Sequence, residues 1–169
     1  RLLTGSTHTG KTLLAQRLLE RHGAPYLSID HLKMGLIRSG MCPLTPESTD
    51  EALTAVLWPV VREIVKTAVE NGQSLTVEGC YIPFNWREDF DASCLPHIRF
   101  LCLVFSEAYI RTRFDTIQTH ANAIERRKDD SFCTMELLLA ENRRNLEACR
   151  RRGLPYYLID GPYAPPLDW

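Results

Sequence analysis

The sequence has little excess of charge of either sign and no apolar run long enough to cross a bilayer. Its 169 residues include 20 lysines and arginines against 21 aspartates and glutamates, a formal net charge of −1. A broadly basic nucleic-acid-binding surface is therefore not expected, although this balance leaves room for a local basic patch. The residues given contain no signal peptide. We accordingly expect a cytoplasmic protein without a membrane partner.

The cysteines show none of the spacings that mark a disulfide framework or a zinc site. No C-x-x-C pair occurs, and the chain is long enough to bury a core without covalent cross-links. Cys102 lies inside the apolar run FLCLVF, where a free thiol behaves as a small hydrophobe. The pattern favours reduced thiols in an intracellular protein and disfavours zinc. The cysteines are Cys42, Cys80, Cys94, Cys102, Cys133 and Cys149.

Short apolar segments alternate with helical segments along the chain. Residues 97–105 are apolar almost throughout, which is typical of a parallel strand covered on both faces. The alternation predicts an α/β fold with a parallel sheet, helices on both faces, and one domain over residues 1–169. We predict strands at residues 1–5, 24–30, 74–82, 97–105 and 154–160.

The helical segments carry recognisable start and stop signals. The long helix that ends at Asn71 repeats apolar residues at i, i+3 and i+4. Ser48 or Asp50 is expected to cap it, and Pro59 is expected to kink it. Other helices are predicted at residues 10–22, 31–38, 106–120 and 134–152, with Ser106 and Thr134 as caps.

The segment GSTHTGKT, residues 5–12, matches the P-loop pattern. Gly5 and Gly10 let the backbone curl so that successive N–H groups point inward, and the following helix adds its positive end. In such a loop Lys11 reaches the β- and γ-phosphates, and the Thr12 hydroxyl ligates Mg²⁺. The match lies between a predicted strand and a predicted helix, which is the context that the motif requires. We therefore predict a nucleotide-phosphate site.

The signals of two other P-loop classes are missing. No aspartate is followed by a glycine three residues later, and no N-K-x-D occurs, so the GTPase switch and guanine signals are absent. A large ATPase motor would be longer and would carry an aspartate at the end of its third strand. Here that strand ends in TVEG, residues 76–79.

Over nearly its whole length the chain resembles the small P-loop kinases, namely shikimate kinase, adenylate kinase, chloramphenicol phosphotransferase and the 2-phosphoglycerate-kinase-like proteins. YLSIDHLKMGLIRSG, residues 26–40, is similar to the second-strand ending of the chloramphenicol phosphotransferase and shikimate kinase type. The residues after it look most like the 2-phosphoglycerate-kinase-like group. The resemblance implies a three-layer P-loop fold with sheet order 2-3-1-4-5. It also implies an acceptor side near residues 31–50 and a lid over ATP near residues 120–133.

Two carboxylates are candidates for the chemistry. Asp30 ends the predicted second strand, at the edge where ligands bind in α/β sheets, and the resemblance implies that it faces the acceptor. There it could accept the proton of an acceptor hydroxyl, or it could simply cap the next helix. The shikimate kinase pattern has a second Asp where this chain has Ser28, which argues against shikimate. Glu78 could hold Mg²⁺ through water, contact the acceptor, or brace the P-loop.

Several arginines could place positive charge on the moving phosphoryl group. Arg126 and Arg127 lie in the charged segment that the resemblance assigns to the lid, although a solvated loop is the alternative. On the last helix, Arg143 flanks the apolar stripe and could reach the cleft. Arg144 points away from that stripe and is expected in solvent.

Further nucleotide contacts are predicted around the P-loop and the adenine base. His8 and Thr9 lie within the loop, and His8 is expected to contribute its backbone N–H. Arg113 is a candidate for contacting the adenine. The resemblance implies that the segment after the fifth strand packs against the adenine through Gly161, Pro162 and Tyr163, and the alternative is a proline-rich tail without that role.

The predicted function is an ATP- and Mg²⁺-dependent small-molecule kinase acting on a small hydroxyl or phosphate acceptor, with 2-phosphoglycerate-like and nucleotide-like molecules as the candidates. The alternatives are a nucleoside or polynucleotide end-kinase and a non-catalytic ATP-binding regulatory or toxin-like module.

Overall fold

Five parallel strands form the centre of the molecule. In this computed structural model, which describes residues 1–120 and 133–169, their spatial order is β2-β3-β1-β4-β5. Every strand pairing is parallel. The predicted sheet and its order are confirmed. The strands are β1 (Leu2–Gly5), β2 (Tyr26–Ser28), β3 (Thr76–Glu78), β4 (Phe100–Phe105) and β5 (Tyr156–Ile159).

Helices connect the strands and cover both faces of the sheet, as predicted. Two short 3-10 helices, Trp86–Asp89 and Leu95–His97, lie between β3 and β4, and the second delays the start of β4 to Phe100. Within the described residues, no helix is long and apolar enough to cross a membrane. The α-helices are α1 (Lys11–His22), α2 (Ile29–Arg38), α3 (Asp50–Glu70), α4 (Glu107–His120) and α5 (Met135–Arg152).

The central strands are buried on both sides, and this burial divides the core in two. All six residues of β4 are buried. Because side chains alternate along a strand, Cys102 and Val104 join one hydrophobic cluster with α3. Leu101 and Leu103 join the other, with α1 and α4. The two clusters fix the sheet between its helical layers and so fix the strand edge that carries the P-loop.

The start of α3 differs from the prediction. Its cap is Thr49, whose hydroxyl oxygen accepts from the Ala52 N–H at 3.3 Å. Ser48 is unavailable because its hydroxyl accepts from the Thr45 N–H at 3.0 Å in the preceding turn. The helix runs through Pro59 as a single element.

Strand β2 is shorter than predicted, and this shift moves Asp30. The strand ends at Ser28, and Asp30 lies in the first turn of α2. The prediction that Asp30 ends the strand was therefore wrong by two residues. Ile29 lies close to the chain after β3 at this point, since a Cβ built on Gly79 would lie only 2.8 Å from the Ile29 Cβ. The chain turns into α2 where Ile29 packs against Gly79, yet Asp30 stays near the edge that carries the P-loop.

We predict that Gly5→Ala destabilises the fold. Gly5 has φ of +143°, and a Cβ added there would lie 2.3 Å from the Leu103 carbonyl oxygen. The clash and the unfavourable φ together should cost about 2–4 kcal/mol. The matched control is Gly35→Ala on α2, where a Cβ meets nothing within 4 Å. The control should stabilise the protein by about 0.5–1 kcal/mol. Urea denaturation measures both free energies of unfolding, and equal values would contradict the prediction.

Candidate nucleotide and acceptor site

The segment between β1 and α1 forms a tight loop at the carboxyl edge of the sheet. His8 has φ of +64° and Gly10 has φ of +79°, so both are left-handed. The Thr9 hydroxyl donates to the Ser6 carbonyl at 2.8 Å and closes the loop on itself. The curl brings backbone N–H groups to the start of α1, whose first turn leaves them without helical partners. The loop thus has the shape of an anion cradle.

Lys11 is buried within this loop. Its Nζ donates to the Ser6 carbonyl at 2.8 Å and lies within hydrogen-bonding reach of the Cys80 thiol. Burial acts to lower the pKa of Lys11, but Cys80, Glu78 and Asp30 outweigh it and hold the pKa above its ordinary value. The lysine is therefore a permanent cation. A neutral carbonyl is a weaker hydrogen-bond acceptor for an ammonium than a charged phosphate oxygen, so a bound phosphate would form the stronger bond with Lys11.

Thr12 and Glu78 meet directly below the cradle. The Thr12 hydroxyl donates to Glu78 Oε1 at 3.3 Å, and Glu78 is 2% exposed at the end of β3. Among residues 1–120 and 133–169, no cluster of three or more His, Cys, Asp or Glu side chains could hold a metal alone. Mg²⁺ commonly binds through one or two protein oxygens, water and substrate phosphates. The pair of Thr12 and Glu78 fits that donor set, because a hydroxyl and a buried carboxylate stand beside the cradle.

Asp30 is held by a cation that the sequence analysis did not select. Lys33 Nζ lies 2.7 Å from Asp30 Oδ1 and donates to the Tyr81 hydroxyl at 2.9 Å. Burial acts to lower the pKa of Lys33, but Asp30 and Tyr81 outweigh it, so the pKa lies above its ordinary value. Lys33 thus fixes the orientation of the Asp30 carboxylate. The i, i+3 spacing of the pair on a helix was a usable signal.

Cys80 lies two residues after the end of β3, within hydrogen-bonding reach of Lys11. Its electrostatic neighbours are Lys11 of the P-loop, Asp30 of α2, Glu141 of α5 and Asp50 of α3. Burial raises the pKa of the Cys80 thiol, and the nearby ammonium of Lys11 only partly offsets this. Four elements therefore converge on one position beside the P-loop. Neither the composition nor the residue spacing of the sequence predicts that these charged residues act on Cys80.

The two candidate arginines of α5, Arg143 and Arg144, are both exposed. Arg143 pairs with Glu107 of α4 at 3.6 Å, and its side chain is 65% exposed. Arg144, which we expected in solvent, is exposed, but its charge reaches Asp50 and Glu141. A role for Arg143 stays a prediction, with Arg144 closer to the carboxylates of the cleft. Arg126 and Arg127 lie outside the described residues, as does most of the predicted lid.

A groove of about 410 Å³ lies between α4 and the segment after β5. Of the predicted base-contacting residues, Arg113, Gly161 and Pro162 line it. Tyr163 does not, because its hydroxyl bonds to the Gly10 carbonyl instead. Arg113 has non-helical backbone angles within α4, φ of −128° and ψ of 19°. The groove thus offers a guanidinium and an apolar ring to a flat ligand. Its lining is Ala108, Tyr109, Thr112, Arg113, Thr116, Asp160, Gly161 and Pro162.

Ser106 joins the two walls of this groove. Its hydroxyl oxygen accepts from the Tyr109 N–H at 3.0 Å and caps α4, as predicted. The same hydroxyl donates to Asp160 Oδ1 after β5, and the Ser106 N–H donates to the Ile159 carbonyl at 3.0 Å. The hydrogen bonds of Ser106 therefore hold α4 and the segment after β5 together at the floor of the groove.

Together the sheet order and the loop between β1 and α1 define a P-loop α/β fold. Among solved structures, the chain is similar to a gluconokinase from Sinorhizobium meliloti 1021, with 20% identity, 98% of this chain and 83% of that chain covered, and a TM-score of 0.53. It is also similar to a sugar kinase from Janibacter sp. HTCC2649, with 18% identity, 94% of this chain and 83% of that chain covered, and a TM-score of 0.52. A third similar structure is the shikimate kinase from Bacteroides thetaiotaomicron, with 11% identity, 94% of this chain and 83% of that chain covered, and a TM-score of 0.50.

These likenesses establish the P-loop kinase fold, as the sequence predicted. At such identities they concern the fold alone. No protein-family profile matches the chain, and no curated protein matches it significantly.

Proposed function

We propose that the protein is an ATP- and Mg²⁺-dependent kinase that transfers the γ-phosphoryl group to a small hydroxyl or phosphate acceptor. The observation that carries this proposal is that Asp30 follows β2 and the P-loop follows β1, so both lie at the carboxyl edge of the sheet on either side of β3. A donor cradle and a fixed carboxylate thus lie at the same edge of the sheet. Phosphoryl transfer needs little more than positioning and charge stabilisation.

The donor half is supported by four features around the P-loop. The groove of Arg113 and Pro162 would hold the adenine, and the left-handed loop would present N–H groups to the phosphates. Lys11 would bind the β- and γ-phosphates. Thr12 and Glu78 would hold Mg²⁺, which when bound screens the charge of the phosphate oxygens.

The acceptor half is supported by the carboxylate on α2. Asp30 would accept a hydrogen bond from the acceptor hydroxyl and take its proton as the oxygen attacks phosphorus. Lys33 would hold the carboxylate in its orientation through their ion pair. Arg144 is a candidate for binding a charged group of the acceptor, while Arg126 and Arg127 of the proposed lid would stabilise the transferred group.

The direct test is a transfer assay with ATP, Mg²⁺ and a panel of acceptors. The panel should contain sugar acids and sugars, phosphorylated acids, nucleosides, short 5′-hydroxyl oligonucleotides and hydroxylated antibiotics. Formation of a phosphorylated product, detected by mass spectrometry, is the expected outcome for one class. Hydrolysis of ATP that no acceptor accelerates, or binding without turnover across the panel, would count against the proposal.

Cys80 provides an independent check on where ATP binds. All six cysteines lie in the described residues, and Cys80 is the one that is not buried. Because the pKa of its thiol is raised, iodoacetamide should alkylate it slowly at neutral pH and faster at alkaline pH. Mg²⁺-ATP at ten times its Kd should slow alkylation about tenfold, since phosphates on Lys11 cover the thiol. Peptide mass spectrometry measures the rate, and Cys80→Ser is the control. Labelling that ATP does not slow would contradict this placement.

A further inference from the structure

Tyr163 connects the segment after β5 to the phosphate cradle. Its hydroxyl donates to the Gly10 carbonyl at 2.6 Å across 153 positions of sequence. The aromatic ring lies against the same glycine, because a Cβ built on Gly10 would be 2.8 Å from three ring and hydroxyl atoms. The Arg17 guanidinium of α1 lies 5.4 Å from the ring centroid and covers the ring. Tyr163 is thus held on α1 and on the P-loop at once.

The bonded carbonyl belongs to the peptide unit that starts α1. The Gly10 carbonyl also accepts the first helical hydrogen bond, from the Leu14 N–H at 2.9 Å. In a trans peptide the C=O and N–H point in opposite directions. Since the N–H of this unit belongs to Lys11, fixing the Gly10 carbonyl also fixes the direction of the Lys11 N–H. That N–H is one of the donors at the start of α1 that have no carbonyl partner within the helix.

We propose that Tyr163 is a positioning residue for the phosphate cradle. Its hydroxyl holds Gly10 in the left-handed conformation and aims the Lys11 N–H into the loop before any phosphate arrives. The neighbouring Pro162 lines the base groove, but Tyr163 acts on the other half of the nucleotide. This inference deepens the proposed function, on which it rests, by assigning part of the phosphate affinity to a residue outside the P-loop motif.

The chemistry of the tyrosine supports a permanent donor. Burial raises the pKa of Tyr163, and the nearby Arg17 only partly offsets the rise. The phenol therefore keeps its proton at neutral pH and can donate to the Gly10 carbonyl. Phenylalanine in its place keeps the ring on Gly10 and removes only the hydroxyl.

The test compares wild type with Tyr163→Phe by calorimetric titration of three ligands: ADP, pyrophosphate and adenosine. Loss of one net hydrogen bond that preorganises the cradle should weaken ADP and pyrophosphate to a similar extent, about five- to tenfold. Adenosine, which carries no phosphate, should bind as it does to the wild type. Tyr156→Phe, an exposed change on β5, is the matched control and should leave all three unchanged.

Each contrary result has a distinct meaning. If Tyr163→Phe weakens adenosine and spares pyrophosphate, Tyr163 belongs to the base wall and the inference is overturned. If the variant unfolds at lower urea but binds pyrophosphate as the wild type does, the hydroxyl has a structural role only, which also overturns it. A wild type that binds neither ADP nor pyrophosphate would overturn the proposed function together with this inference.

Discussion

Lys11→Met should lower phosphoryl transfer by about 10²–10³-fold, the usual cost of removing one preorganised charge from a developing transition state. Lys11 is a buried cation aimed into the loop, and methionine has similar length without charge. The same variant should lose most of the thermal stabilisation that Mg²⁺-ATP gives the wild type. Steady-state kinetics and melting curves with and without ATP measure the two effects.

The control for Lys11 is Lys66→Met on α3, where the ammonium pairs with Glu63 at 3.0 Å. This variant should transfer and bind ATP as the wild type does. An unchanged ATP-induced melting shift in Lys11→Met would remove the basis for a phosphate cradle. Because Lys11 also faces Cys80, Glu78 and Asp30, the free energy of unfolding of each variant should be measured without ligand.

Asp30→Asn should lower transfer by about 10²–10⁴-fold, the range typical of a lost general base, while ATP binding persists. The amide keeps the shape of the side chain but cannot take the acceptor proton. The expected signature is a large loss in kcat with a nearly unchanged Kd for ATP. This split also separates a kinase from an ATP-binding module, which would not need Asp30.

Asp115→Asn, an exposed change on α4, is the control for Asp30. Its transfer rate and ATP affinity should match those of the wild type. If Asp30→Asn transfers normally, the carboxylate serves only to interact with the positive end of α2. A loss of ATP binding equal to the loss of transfer would instead show that Asp30 supports the P-loop through its charge.

The parts of this protein that the sequence predicts are those whose signals are local. The P-loop can be recognised because its glycines, lysine and threonine all lie within residues 5–12. Each is required either by the backbone conformation or by contact with phosphate or Mg²⁺. The burial of β4 is readable from its apolar run. The sheet order came from the resemblance to small P-loop kinases, since alternation alone predicts a parallel sheet without an order.

The parts that were missed depend on contacts between distant segments. Ile29 packs against Gly79 where the chain leaves β2, and only the folded sheet brings the two together. The charges that act on the Cys80 thiol come from elements that are far apart in sequence. Arg143 pairs with Glu107 of α4, a contact that the sequence of α5 alone does not predict.

The hydrogen bond between Tyr163 and Gly10 has a consequence for synthesis on the ribosome. The P-loop segment leaves the ribosome before Tyr163, because Tyr163 follows Gly10 by 153 positions. Closing so long a loop is entropically costly before the intervening strands pair, so a nascent chain stalled before Tyr163 lacks this constraint. Nucleotide in the cell would therefore protect such unfinished chains from proteolysis less than it protects the released protein.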